Sequence, residues 1–165
     1  MINEGDFLES AQVFGKNWYG TPWENWFAAQ KKGVDLILEI DVQGAQKVQE
    51  GQLRESAVSI FVLPPTPAEL ERRIRARGMD SEDEIERRLK QAKTEIKALP
   101  EYYDYHIVND DVERAGKEIQ GIVLKERNRS AEERRDERVG ARAIVAAGKR
   151  RRNVESNVQR ILELF

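Results

Sequence analysis

Three short runs of apolar residues, separated by longer helical stretches, constrain the fold of this chain more than any other feature. The runs occupy residues 36–40, 58–63 and 106–108 and consist mainly of Val, Ile and Leu. Short runs that are apolar at nearly every position are typical of strands covered on both faces of a sheet. Strands that alternate with helices predict a parallel sheet of the α/β class.

Helix signals lie between and after these runs. Residues 67–77 begin at Pro67, a residue favoured in the first turn of a helix. Residues 81–98 begin with Ser81 and have Glu84 three positions later, which predicts a capping box, and Pro100 is expected to end this helix. Residues 111–127 carry apolar side chains at helical spacing.

Composition excludes several classes of protein. The 165 residues suit one domain with a core, and the formal net charge of -2 gives no reason to expect nucleic acid as a partner. The absence of cysteine excludes disulfides and thiolate metal sites. No apolar run approaches the roughly 20 residues of a membrane span, and the acidic start lacks the shape of a signal peptide. We expect a cytoplasmic protein that does not bind membranes.

The last part of the chain, residues 130–165, differs in composition. It is rich in Arg and Glu and contains the basic run KRRR at 149–152. Such a segment is expected to be a charged helical tail, either a solvated helix or a frayed end. Its last apolar residues recur at helical spacing and would dock on another surface: Val154, Val158, Ile161, Leu162 and Phe165.

A first candidate site lies near the start of the chain. Glu9, Tyr19 and Thr21 supply a carboxylate, a phenol and a hydroxyl around Gly15 and Gly20. Glycines permit sharp turns that bring side chains together, and a carboxylate can accept two hydrogen bonds from adjacent N–H groups. A solvated loop with a half-buried aromatic side chain would show the same pattern.

A second candidate is Asp41, which follows the predicted strand 36–40 and precedes Gly44. Ligands of open α/β sheets bind beyond the carboxyl ends of strands, where an acidic residue can meet Mg²⁺ directly or through water. Asp41 could equally be the N-cap of a helix, and the two roles are compatible.

A third candidate is a cluster of arginines at residues 72–88. Guanidinium groups match phosphate oxygens and neutralise the charge that develops in phosphoryl transfer. Acidic residues alternate with these arginines, so an exposed, ion-paired helix face is the competing interpretation. The only histidine, His106, lies in a predicted strand and is interpreted as structural. Residues 140–149 have the wrong spacing for a phosphate-binding loop.

Six segments, in order and nearly without gaps over residues 3–129, resemble the guanylate kinase family. They are FLE at 7–9, YGT at 19–21, IDVQGA at 40–45, IFVLPP at 60–65, RIRARG at 73–78 and IVNDD at 107–111. The resemblance implies a nucleoside-monophosphate-kinase fold with a parallel sheet and helices on both faces. It also implies phosphoryl transfer from ATP to GMP, giving ADP and GDP, with Mg²⁺ accompanying ATP.

The resemblance also implies roles for individual residues on the GMP side. Glu9 matches the position that holds the guanine amino and imino groups, and Thr21 matches the hydroxyl that touches the base. Tyr19 matches the phenol that holds the GMP phosphate. Glu39 stands where the family usually has Asp, at the guanine end or its water network, and is one methylene longer.

On the donor side, the resemblance implies catalytic roles for one carboxylate and three arginines. Asp41 matches the acidic residue near the metal and phosphates, although no metal ligand set made of protein residues alone is expected. Arg73, Arg77 and Arg88 match arginines of a mobile lid and its flanks that close over the ATP phosphates. Asn109 matches a residue near the adenine, so Arg77 and Asn109 are the expected ATP-binding residues.

The implied organisation has three parts: a GMP-binding region at 1–34, a kinase core at 35–129 with the lid at about 73–88, and the tail at 130–165. The family opens with a strand and a phosphate-binding loop that this sequence does not contain. We therefore expect a truncated kinase with impaired activity. The competing interpretation is a non-catalytic module that binds nucleotide or a protein. Self-association through an exposed sheet edge is also expected.

Overall fold

The computed structural model describes residues 4–13 and 17–129, and these residues form an α/β protein. They divide into two compact units with the boundary between Ala57 and Val58. The predicted tail at 130–165 lies outside the described residues.

The first unit is built on an antiparallel hairpin. After a short 3₁₀ turn at Glu4–Asp6, strand β1 (Phe7–Val13) pairs with strand β2 (Asn17–Pro22). Helix α1 (Trp23–Lys32) follows directly and contacts both strands, and helix α2 (Val42–Glu50) packs on β1. The glycines around Tyr19 and Thr21 had suggested turns at this place, whereas Gly20 lies within β2.

The prediction of a strand at residues 36–40 is wrong. Residues 34–41 have no regular secondary structure, and neither of the two sheets in the described part of the chain includes them. Ile37 is 88% exposed, although its neighbours Leu36 and Leu38 are half-buried. An apolar run becomes a strand only where a second strand can satisfy its backbone N–H and C=O groups, and periodicity does not supply that partner.

The second unit contains the predicted parallel pairing. Strand β3 (Ile60–Leu63) lies parallel to strand β4 (Tyr105–Val108), with Ile60 opposite Tyr105 and Leu63 opposite Val108. The crossover between them contains helices α3 (Pro67–Ala76) and α4 (Glu82–Tyr102), and helix α5 (Val112–Arg127) follows β4. The parallel arrangement is therefore confirmed for these two strands.

The Ser81 cap predicted for α4 is present, because Ser81 Oγ accepts a hydrogen bond of 3.4 Å from the backbone N–H of Glu84. Helices α3 and α5 also have side-chain caps, which were not predicted. Thr66 accepts a hydrogen bond from the backbone N–H of Glu69, and Asp111 accepts one from that of Arg114. The expectation that Pro100 ends α4 is wrong, because the helix continues to Tyr102. A proline removes one backbone donor but has a helical φ, so the last turn of a helix can include it.

The core of the second unit is formed by apolar side chains from both strands and all three helices. Leu63 and Ile96 are fully buried, and burying a side chain of this size is worth about 1.5–3 kcal/mol. The other buried apolar residues of this unit are Ile74, Ile85, Ile107 and Ala115. Phe61 and Tyr103 also meet edge to face, with ring centroids 4.9 Å apart.

Hydrogen bonds between Ser59 and Asp104 fix the start of both strands. The Ser59 backbone N–H and hydroxyl each donate to Asp104 Oδ2 at 2.9 Å, and the Asp104 N–H donates to Ser59 Oγ at 3.0 Å. These bonds lie just before β3 and β4. They therefore set the register in which the two strands enter the sheet.

A second polar cluster joins β4 to the end of α5. The Tyr105 hydroxyl and the Arg129 guanidinium both donate to the buried carboxylate of Glu126. Burial raises the pKa of Glu126, but the hydrogen bonds from Tyr105 and Arg129 outweigh that effect and hold the pKa below its ordinary value. Burial is the largest cause that raises the pKa of the Tyr105 phenol, and the hydrogen bond to Glu126 raises it further.

None of the helices within residues 4–13 and 17–129 is long and apolar enough to cross a membrane. The expectation that the chain does not span a membrane agrees with this finding for those residues.

His106 should make the stability of the fold depend on pH. Burial lowers its pKa from the usual 6.5, so the unfolded chain binds the proton before the folded one does. The free energy of unfolding should therefore decrease as the pH falls from about 6.5 through the lowered folded value. His106→Gln should remove this part of the decrease. Urea unfolding at pH 7, 6 and 5 would measure it, and parallel pH profiles for the two proteins would contradict the prediction.

Candidate nucleotide site

The carboxylate of Glu9 is the central polar group of the first unit. Glu9 lies in β1 directly opposite Thr21 of β2 and is only 5% exposed. The Thr21 hydroxyl donates a hydrogen bond of 2.8 Å to Glu9 Oε1. A buried carboxylate is costly unless hydrogen bonds compensate it, so this contact fixes the position of the charge. The structure thus brings together two residues that the sequence had assigned to one site.

Gly20 allows the hairpin to form around this pair. A Cβ atom at Gly20 would lie 2.7 Å from the backbone oxygen of Glu9 and 2.9 Å from the Phe7 ring. A side chain at position 20 would push the two strands apart. With glycine there, the strands stay close enough for Thr21 to reach Glu9.

Tyr19 lies on the same side of the hairpin. Side chains alternate along a strand, so Tyr19 and Thr21 share a face, and the register places Tyr19 opposite Ala11. Tyr19 is 60% exposed and therefore accessible to a ligand. Glu39 is also exposed, in the irregular segment that precedes α2.

Asp41 caps helix α2. Its Oδ1 accepts a hydrogen bond of 2.9 Å from the backbone N–H of Gly44, and its Oδ2 accepts a longer one from the Gln43 amide at 3.4 Å. The N-cap interpretation of Asp41 is therefore confirmed. The carboxylate remains half-exposed, which leaves the phosphate- or metal-directed role as a prediction.

Ser10 and Lys47 form a contact that sequence reasoning missed. The Lys47 ammonium donates to the backbone oxygen of Ser10, and its Nζ also lies 3.5 Å from the Ser10 hydroxyl. This contact joins α2 to the residue that follows Glu9. No local pattern marks it, because the two residues are 37 positions apart.

In the second unit, Arg73 and Asn109 are brought together at the end of β4. The Arg73 guanidinium donates to the backbone oxygen of Asn109 at 2.8 Å and to Glu69 at 2.7 Å. The side-chain Oδ1 of Asn109 is buried and accepts no hydrogen bond from the residues that the structure describes. A buried acceptor without a donor is costly, and a ligand N–H group could satisfy it.

Within the part of the chain that the structure describes, the other arginines of the cluster, except Arg77, have acidic partners. Arg88 pairs with the largely buried carboxylate of Asp80 at 3.0 Å, whereas Arg77 is exposed at the end of α3. Four further pairs lie on the helix surfaces: Arg72 with Glu69, Arg75 with Glu71, Arg75 with Glu82, and Arg87 with Glu84. The ion-paired surface that the alternating charges suggested is therefore present. The roles of these arginines toward phosphate remain predictions.

No group of three or more His, Asp or Glu side chains in the described part of the chain could hold a metal ion.

Taken together, the parallel β3–β4 pair, the buried carboxylate–hydroxyl pair and the arginine-bearing helices define an α/β protein with groups suited to a nucleotide. The sequence profile of the family described as Guanylate kinase matches residues 1–126. The chain belongs to the guanylate kinase family.

Individual relatives agree with this assignment. The chain is 46% identical to the guanylate kinase of Clostridioides difficile over 129 residues, which are 78% of this chain and 61% of that protein. It is 50% identical to the guanylate kinase of Hahella chejuensis over 125 residues, 76% of this chain and 58% of that protein. The chain thus spans about three fifths of the length of these relatives.

A solved structure gives the same result. The crystal structure of guanylate kinase from Anaplasma phagocytophilum superposes with a TM-score of 0.62 at 41% identity, covering 77% of this chain and 58% of that one. At this level of identity the similarity extends to fold and family alike.

The ion pairs at Glu69 can be tested directly. Hydrogen bonds from Arg72 and then Arg73 lower the pKa of this carboxyl from 4.5 to about 2. In an NMR titration, the midpoint of Glu69 should lie near 2 in the unmodified protein and rise toward 4.5 when both arginines are replaced by Leu. Because the folded pKa is depressed, any stabilisation from these pairs is present above about pH 4.5 and is lost as the pH falls toward 2. An unchanged midpoint in the double variant would show that the bonds do not form in solution.

Proposed function

We propose that this chain takes part in phosphoryl transfer from ATP to GMP, giving ADP and GDP. The observation that carries the proposal is the buried Glu9 carboxylate, held by Thr21 on a hairpin face that also presents Tyr19. Membership of the guanylate kinase family supports it. The same membership favours the finer fold: a nucleoside-monophosphate-kinase core with a parallel sheet and helices on both faces.

In this proposal Glu9 and Thr21 recognise the guanine base. Guanine presents an imino N–H and an exocyclic amino group side by side, and one carboxylate can accept a hydrogen bond from each. Thr21 already holds one oxygen of Glu9 and would orient the carboxylate toward the base. The exposed Tyr19 phenol would donate to the GMP phosphate, and Glu39 would act near the base through water.

The donor nucleotide belongs to the second unit in this proposal. The buried Oδ1 of Asn109 would accept a hydrogen bond from the adenine amino group, which would satisfy an atom that otherwise lacks a donor. Arg73 and Arg88 would exchange Glu69 and Asp80 for phosphate oxygens, and the exposed Arg77 would join them. All three would neutralise the charge of the transferring group. In such a reaction positioning and charge neutralisation carry the catalysis, with no covalent intermediate.

Mg²⁺ would arrive with ATP, where it neutralises phosphate charge when bound. The half-exposed carboxylate of Asp41 is the residue best suited to hold it, directly or through water, since magnesium sites commonly use one or two carboxylates. The functional division proposed for the chain is a GMP-binding region at 1–34, a core at 35–129 and a lid at about 73–88. Self-association through a sheet edge remains a prediction.

We expect selective binding of GMP over AMP. A site built to hydrogen-bond a group rejects an analogue that lacks it by up to about 10⁴-fold. Glu9→Gln should weaken GMP binding by about 10- to 100-fold, because hydrogen bonds to a charged group are each worth about 1.5–3 kcal/mol. Thr21→Val should have a smaller effect in the same direction. Calorimetric titration with GMP and AMP measures the selectivity of the unmodified protein and the effect of each substitution on GMP affinity.

The matched control is Glu113→Gln, which removes an exposed acidic group from the first turn of α5. Equal affinities for GMP and AMP, or an unchanged affinity in Glu9→Gln, would contradict guanine recognition. Because the chain spans about three fifths of its relatives, turnover is measured separately, in a coupled assay for ADP formation. GMP-selective binding without turnover would favour the nucleotide-binding module over the enzyme.

The lid can be tested by hydrogen exchange. Residues 77–81, between α3 and α4, are mostly exposed, and Met79 is 81% exposed. Their amides should exchange rapidly in the free protein and become protected when a bisubstrate nucleotide draws the arginines onto phosphate. Amides in the middle of α5 should not change. Strong protection of residues 77–81 without nucleotide would argue against a moving lid.

A further inference from the structure

Gly44, in the first turn of α2, is in contact with two carboxylates. Its backbone N–H donates to Asp41 Oδ1 at 2.9 Å. On its other side lies Glu9, whose Oε2 would be 2.9 Å from a Cβ atom placed on Gly44 and whose Cδ would be 3.6 Å away. The space that a side chain would fill at position 44 is therefore bordered by the end of the Glu9 side chain and by Ile40 Cβ, which would lie 3.0 Å away.

The helix that carries Gly44 cannot easily move away from β1. Gly44, Ala45 and Val48 are buried on the face of α2 that packs against this strand. Lys47 joins the same helix to Ser10, the residue next to Glu9. A methyl group at position 44 would consequently be accommodated by the flexible end of Glu9 rather than by a shift of the helix.

We propose that Gly44 is a positioning residue for guanine selectivity, because its missing side chain leaves room for the Glu9 carboxylate to face both guanine donors. This inference rests on the proposed function. It adds a residue that touches neither base nor phosphate and acts through Glu9 alone.

The proposal has a specific consequence for nucleotides that differ at one group. IMP has the same base edge as GMP except that it lacks the exocyclic amino group. If a methyl group at position 44 displaces Glu9 Oε2, the carboxylate can no longer accept hydrogen bonds from both the imino and the amino group of guanine. The protein should then bind GMP less strongly relative to IMP. Loss of one hydrogen bond to a charged acceptor weakens binding affinity by about 10- to 100-fold.

The experiment compares Gly44→Ala with Gly116→Ala by calorimetric titration with GMP and IMP. Gly116 is also helical, and a Cβ atom there would meet nothing within 4 Å. Both variants therefore replace a helical glycine by alanine, and only one of them crowds Glu9. We expect Gly44→Ala to reduce the GMP-to-IMP affinity ratio by about 10- to 100-fold and Gly116→Ala to leave it within about twofold.

A double variant tests whether Glu9 transmits the effect. In a Glu9→Ala background the carboxylate no longer crowds position 44, although Ile40 Cβ remains 3.0 Å from the added methyl group. Gly44→Ala should then change the affinity ratio by less than about twofold. If Gly44→Ala alone does not fold, Glu9→Ala/Gly44→Ala should fold. Failure of the double variant to fold would overturn the proposal and assign the crowding to Ile40, whose Cβ lies 3.0 Å from the same point.

The remaining outcomes separate this inference from the function on which it rests. If the unmodified protein prefers GMP to IMP and Gly44→Ala keeps the full preference, the inference is wrong and the proposed function stands. If the unmodified protein does not prefer GMP to either IMP or AMP, guanine recognition itself is refuted, and the inference with it.

Discussion

A carboxylate that is buried away from water needs hydrogen bonds to replace its lost hydration. The first unit meets this requirement at Glu9. Removal of its charge from water is offset by the Thr21 hydroxyl, which the hairpin register places directly opposite. Gly20 permits the close ladder, Gly44 leaves space for the second oxygen, and Lys47 holds the supporting helix to the strand. A charge placed this way is ready to meet a ligand without reorganisation, which is what selective recognition needs.

The second unit solves a different problem, the alignment of two parallel strands that are joined through a long crossover. Ser59 and Asp104 fix where β3 and β4 begin, and the ladder then carries this register to the far end of β4. There Arg73 donates to the backbone of Asn109. Polar bonds therefore hold this strand pair at both ends: Ser59 with Asp104 before the strands, and Arg73 of α3 with the Asn109 backbone after β4.

Most arginines of this unit are held by acidic partners. Arg72 and Arg73 pair with Glu69, Arg75 with Glu71 and Glu82, and Arg87 with Glu84, all on helix surfaces. Exposed pairs of this kind contribute little to stability, typically about 0–1 kcal/mol. The pair of Arg88 with the largely buried Asp80 is different, because its loss would leave a charge removed from water without a partner.

The sequence by itself determined the α/β class, the Ser81 cap of α4 and, through its resemblance, the family. Those features depend on local periodicity, on short-range hydrogen bonds or on a sequence resemblance. Tertiary structure alone decided that Glu9 and Thr21 face each other, that residues 36–40 are not a strand within the described part of the chain, and that Lys47 reaches Ser10. It also decided that Gly44 lies against Glu9, a contact between residues 35 positions apart. Pairing partners, register and available space are relations between distant segments, and no local pattern along the chain encodes them.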